Sequence, residues 1–123
     1  MKRIAATLTA LLSAASAALE YKRMDDALSA YGYTYEAIKV ETDDGFILTT
    51  FHITGTSGGE LFKPDKPPVL IQHGDSADGP SWVGGYNEGV PMHLKLASLG
   101  YDVYIGSNRG TEYCQEHKKY TVD

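Results

Sequence analysis

The sequence predicts an α/β fold in which a β-hairpin is followed by a parallel strand, helix, strand unit. Three stretches carry that expectation. Val69, Leu70 and Ile71 form a short apolar run between Pro67-Pro68 and Gly74, the pattern of a strand buried on both faces. Val103 to Ile105 repeats it and ends on Gly106. Between them Val90, Met92, Leu94, Leu96 and Leu99 suit a helix, with Gly100 placed to close it as the C′ residue. The polar loops then fall at the strand ends, where α/β proteins place their chemistry.

At the N-terminus, Lys2 and Arg3 precede the mostly apolar run Ile4 to Leu12, and Ala15-Ser16-Ala17 matches the small-residue pattern cut by a signal peptidase. Residues 1–17 are therefore expected to be a signal peptide, with the mature chain starting at Ala18. The run is too short to span a bilayer. An Ala-rich helix kept in the fold is the rival reading, but it leaves the basic start and small-residue end unexplained. The expected route is the secretory pathway, with the lysosome, a vacuole or the cell exterior all left open as destinations.

After the leader, Leu19 to Ala30 reads as a short amphipathic helix with Met24, Ala27, Leu28 and Tyr31 on one face, closed by Gly32. From Glu36 the period changes to two, so Ile38 and Val40 point one way and Lys39 and Glu41 the other. Asp44-Gly45 before Phe46 to Ile53 predicts a hairpin with a type I′ turn, because both central residues of that turn need positive φ. Thr54 to Asp65, rich in Gly, Ser and Thr, reads as a loop.

Composition limits the function. The 123 residues, 42% of them hydrophobic, suffice for one domain at most. A formal charge of -5 gives phosphate backbones no reason to bind, so no nucleic-acid partner is expected. Loss of the leader takes away Lys2 and Arg3 and no acid, which makes the chain more acidic still. The lone Cys114 is either a free thiol or half of a bridge to another chain. The histidines and this cysteine match no ligand spacing, so neither metal nor cofactor is expected.

Several ordered motifs resemble the acid lipases, the gastric and lysosomal acid lipases and their relatives. These are Tyr31-Gly32-Tyr33, Glu41 to Leu48, Gln72-His73-Gly74, Trp82, Gly100 to Gly106 and Asn108-Arg109-Gly110, and together they cover about Tyr31 to His117. The resemblance implies the N-terminal part of an α/β-hydrolase fold, and hydrolysis of acylglycerols or sterol esters by a Ser, Asp, His triad. No Gly-x-Ser-x-Gly nucleophile elbow occurs, since Gly106-Ser107-Asn108-Arg109-Gly110 has Asn108 at its centre. The triad is therefore expected beyond Asp123, and this chain alone is expected to be inactive. Residues 18–123 are read as a partial lipase N-terminal region. The alternative is a non-enzymatic secreted protein that binds lipid or a partner.

By the same resemblance, the backbone N–H of Asp75 is one oxyanion-hole donor, supported by His73 and by Gly74, whose freedom would turn the amide toward the developing charge. The family commonly has leucine at position 75, and an aspartate there opposes an oxyanion unless its carboxylate faces solvent or is neutralised. His73 is read as a loop-orienting residue rather than a general base. His52, His93 and His117 are read as ordinary strand, helix and loop residues, Trp82 as packing under the loop, and Arg109 as the partner of a core carboxylate. A partial sheet also leaves an open edge, so self-association is expected.

Overall fold

The computed structural model describes residues 21–56, 58–60, 63, 65–83 and 89–121. The predicted signal peptide and the start of the first helix lie outside them. Helix α1 (Lys22–Ser29) buries Met24 and Leu28, while Ala27 and Tyr31 pack against the core at their edges. This is the predicted face, and Gly32, at φ 74°, ends the segment as expected.

Among the described residues six strands form one sheet: β1 (Tyr33–Glu41), β2 (Phe46–Thr56), β3 (Gly59–Glu60), β4 (Pro68–Gln72), β5 (Asp102–Gly106) and β6 (Glu116–His117). The main order is β1-β2-β5-β4, with β3 and β6 also paired to β2. Among these strands only β4 and β5 are parallel, and helix α2 (Met92–Ser98) lies between them in sequence. The predicted hairpin and strand, helix, strand unit are both present. Leu94 and Ala97 of α2 are buried, and Gly100 at φ 90° donates its N–H to Ala97 O at 2.8 Å, closing the helix.

One face of the sheet carries the core. Phe51, Ile53, Ile71, Val103 and Ile105 pack with Met24, Leu28, Leu94 and Ala97. The Phe51 ring meets Tyr21, Tyr35 and Tyr113 edge-on at 5.4–5.6 Å, a favoured aromatic geometry. Tyr33 reaches from β1 to donate to Leu94 O at 3.0 Å, which ties the hairpin to α2.

Several sequence expectations need correction. Strand β1 begins at Tyr33, three residues early, and its core-facing set is Tyr33, Tyr35 and Ala37. Ile38 and Val40 do share a face, but it is the outer one. Two tyrosines and an alanine, rather than Ile38 and Val40, pack against the core. The hairpin turn is longer than type I′: Gly45 alone is at positive φ, and its N–H bonds Thr42 O at 2.8 Å. That is the three-residue loop with a glycine bulge. Strand β2 runs on to Thr56 and pairs β3, inside the segment expected to be a loop. Strand β4 is not buried on both faces, since Leu70 is 64% exposed. It ends the strand order, and no described element covers its outer face. Cys114 is a buried free thiol.

Candidate functional site

Parallel pairing sets the C-terminal ends of β4 and β5 side by side, with Gln72 opposite Gly106. The segments that follow are therefore neighbours: His73-Gly74-Asp75 after β4, and Ser107-Asn108-Arg109-Gly110 after β5. The buried His73 ring joins them. Its Nε2 accepts the Asn108 backbone N–H at 2.9 Å, and its Nδ1 lies 2.8 Å from Gly74 O. One nitrogen faces a donor and the other an acceptor, so a neutral ring protonated on Nδ1 satisfies both. A ring held at both nitrogens ties the two segments together and has no lone pair left for general-base work.

Gln72 Nε2 donates to Asn108 Oδ1 at 2.7 Å. Gly106 makes room for this bond, because a Cβ there would stand 2.3 Å from Gln72 Oε1. A second close approach binds the next stretch down. A Cβ on Gly79 would lie 2.6 Å from Ser107 Oγ, so the turn after the loop rests directly on the end of β5. That turn, the 3₁₀ segment Gly79–Trp82, is capped by Asp78, whose carboxylate accepts from Ser81 N at 3.0 Å and Ser81 Oγ at 2.5 Å. Arg23 of α1 binds the same carboxylate and also Glu112. Burial raises the Asp78 pKa, and the bonds from Ser81 and Arg23 more than offset it, leaving the carboxyl below its usual value.

These pieces border a groove of about 520 Å³ whose lining includes Arg23, His73, Asp75, Ser76, Asn108 and Glu112. Asp75 is exposed, and its backbone N–H donates to no acceptor among the described residues. The turn geometry differs from expectation. Gly74 has an ordinary φ and open space where a Cβ would be, while Ser76 takes the left-handed conformation at φ 57°. A non-glycine residue there is uncommon and strained, and such residues gather at functional loops. The positive-φ turn thus falls one residue after Asp75 rather than one before.

Of the remaining residues Arg109 also borders the groove, whereas Trp82, His93 and His52 stand apart from it. Arg109 has a carboxylate partner, Asp44 at 2.7 Å, but both side chains are half exposed on the hairpin turn, where the guanidinium also covers the Phe46 ring at 4.4 Å. The expected core carboxylate is absent among the described residues because the guanidinium lies at the surface, where it needs no buried counter-charge. Trp82 packs half-buried against the core, as read. His93 is buried with both ring nitrogens unpartnered among the described residues, and burial pushes its pKa down to about 4. His52 has carboxylates on both sides, from β1 and β5, which only strand register brings together. Arg23 and Glu112 were not singled out from the sequence, and Gln72 only as part of the Gln72-His73-Gly74 motif. The Asp78-Gly79-Pro80-Ser81 pattern, a cap followed by proline, was the one local signal for this part of the site.

A hairpin leading into a sheet, with polar loops converging at the ends of β4 and β5, defines the N-terminal region of an α/β-hydrolase. Residues 24–85 match the family model for the partial alpha/beta-hydrolase lipase region, and the chain belongs to that family. It is similar to the lysosomal acid lipase/cholesteryl ester hydrolase of Homo sapiens, 33% identical over 99 residues covering 80% of this chain and 25% of the relative. The gastric triacylglycerol lipase of Bos taurus is 33% identical over 96 residues, 78% of this chain and 24% of the relative. Triacylglycerol lipase 2 of Arabidopsis thaliana is 40% identical over 93 residues, 72% and 21%. The chain spans about a quarter of the length of the curated relatives it matches.

Proposed function

We propose that this chain forms the non-nucleophilic N-terminal part of a carboxylic ester hydrolase acting on acylglycerols or sterol esters, and supplies one oxyanion donor, the backbone N–H of Asp75. The observation that carries the reading is that free N–H, placed after β4 and bordering the groove, beside a loop that His73 and Asn108 hold together. A preorganised backbone donor aimed at developing charge contributes roughly 3–4 kcal/mol to the transition state. The Asp75 side chain is exposed. Its carboxylate is screened by water there, which softens its opposition to an oxyanion. The relatives' names supply the ester class. No Gly-x-Ser-x-Gly occurs among the 123 residues, so the nucleophile comes from sequence outside this stretch.

The test is a chimera in which residues 31–117 replace the matching segment of a gastric or lysosomal acid lipase. Ester hydrolysis is expected to survive, and Asp75→Pro, which removes the N–H, to lower kcat by about 10²–10³. Asp75→Leu keeps the N–H and is expected to keep the rate. A folded but inactive chimera favours a non-enzymatic lipid- or partner-binding role instead. The chain alone is expected to leave a short-chain ester at the buffer rate, because removing the triad's serine or histidine costs on the order of 10⁶ in kcat. Cleavage after Ala17 and passage through the secretory pathway belong to the same proposal. Intact mass of the product from a eukaryotic host tests it, and a mass retaining residues 1–17 overturns it.

A further inference from the structure

A neutral imidazole offers one N–H donor and one lone pair. His117, like His73, has partners that suit that form: Nε2 faces Asp44 O at 2.9 Å, and Nδ1 accepts the N–H of Lys119 at 2.9 Å and of Tyr120 at 3.3 Å. His93 has no hydrogen-bond partner among the described residues. His52 differs from all three. Its Nδ1 lies 2.9 Å from Glu36 Oε1 and its Nε2 lies 2.6 Å from Asp102 Oδ1. Ionised carboxylates only accept, so both ring nitrogens must donate, and only the imidazolium does that. A neutral ring would hold a lone pair against one carboxylate at hydrogen-bond distance.

The cluster spans three strands on the outer face of the sheet. Glu36 on β1 pairs across to His52 on β2, and His52 pairs across to Tyr104 on β5. The His52 and Tyr104 rings stack at 4.3 Å and 8°, and Tyr104 Oη donates to Asp102 Oδ2 at 3.1 Å. Glu36 from β1 and Asp102 and Tyr104 from β5 are the titratable groups that face the ring among the described residues. Strand β4 presents Leu70 opposite Tyr104. Neither carboxylate has a lysine or arginine partner among the described residues.

We propose that His52 is an acid-closed clasp that, when protonated, ties β1 to β5 across β2 and, when deprotonated, keeps Asp102 and releases Glu36. Glu36 is the partner released because its side chain is 58% exposed, against 17% for Asp102, which Tyr104 also holds. Burial lowers the His52 pKa, but the bonds to Glu36 and Asp102 more than offset it, so the net direction is upward. A group raised on folding contributes fully below its unfolded value, about 6.5 for histidine, and loses that contribution as pH rises through the folded value. The outer face is therefore held most tightly in acid and opens toward neutrality, where it gains negative charge. This inference goes beyond the catalytic proposal and does not depend on it.

The test is a pH titration of the full 123-residue chain by long-range proton–nitrogen NMR, which reads each ring nitrogen and uses His73, His93 and His117 as comparisons. Both His52 nitrogens are expected to be protonated in acid, with a midpoint above about 6.5. Glu36→Gln and Asp102→Asn are each expected to lower that midpoint, and His52→Gln to remove the gain in melting temperature between pH 8 and pH 6. Glu36 is exposed, so its substitution leaves the fold intact if Asp102→Asn disturbs it. A His52 midpoint at or below 6.5, or one that Glu36→Gln leaves in place, overturns the proposal, as does a chain in which all four histidines titrate alike.

Discussion

Cys114 fills a gap in the β2 ladder that no described strand reaches: its Sγ accepts the Thr49 backbone N–H at 3.1 Å. On that side β2 pairs β6 at Phe46 and Ile47 and β5 from Thr50 to His52, so Thr49 lies between the two ladders. The Thr49 hydroxyl donates to Tyr113 O at 2.6 Å and completes the join. Cys114→Ala leaves a buried N–H unsatisfied and is expected to cost about 1–3 kcal/mol, with Cys114→Ser costing less because its oxygen still accepts. Urea unfolding of the two variants measures this, and equal midpoints for both and for the wild type would remove the thiol's structural role. The native thiol is also expected to resist alkylation until denaturant is added.

Asp78 joins the cap of the 3₁₀ turn to Arg23 of α1, so its loss acts at two places. Asp78→Ala is expected to cost about 1–2 kcal/mol, the usual range for a lost cap with a small addition from an ion pair whose Arg23 end is half exposed. Asp78→Asn keeps an acceptor for Ser81 N and is expected to recover most of it. Thermal melts of the pair separate cap from charge, and equal losses in both would assign the effect to the ion pair.

His93 gives acid sensitivity of the opposite sign to His52. Its folded value of about 4 lies below the unfolded 6.5, so the neutral ring is favoured on folding. That contribution is whole above pH 6.5 and is lost as pH falls toward 4, about 3 kcal/mol in all. His93→Met fills similar volume without titrating. Its melting temperature is expected to fall less than that of the wild type between pH 7 and pH 4.5, and parallel curves would contradict the assignment.

Leu70 stands exposed on the outer face of β4, the strand at the end of the main order. Unpaired strands with apolar side chains invite pairing with another chain. The purified chain is expected to self-associate and to bind a hydrophobic dye, and Leu70→Lys to reduce both. Size-exclusion chromatography decides the point: a sharp monomer peak from the unaltered chain, without dye binding, would show that the edge needs no partner.

The parts of the fold governed by local rules were legible. Met24, Ala27, Leu28 and Tyr31 repeat at helical spacing, Gly32 and Gly100 stop their segments, and the apolar runs at Val69 and Val103 mark parallel strands. The inward face of β1 was not legible, because alternation tells which residues share a face but not which face meets α1. His73 and Asn108 carried enough motif to be noticed, but their bond depends on the register of β4 against β5. The His52 cluster lies further out of reach: Glu36, His52 and Asp102 are brought together only when three strands have aligned.

The central position of β2 imposes an order in time. Its Ile47 meets β1 through a hairpin of a few residues, yet on the other side it waits for Glu116. A hairpin closes in about 1–10 μs. The ribosome takes several seconds to deliver the roughly 70 residues between Ile47 and Glu116, at about 5–20 residues per second. During that interval the Phe46–Ile47 end of β2 is paired to β1 alone, so this end of a growing chain is most vulnerable to capture by a neighbour on the ribosome before Glu116 and His117 arrive.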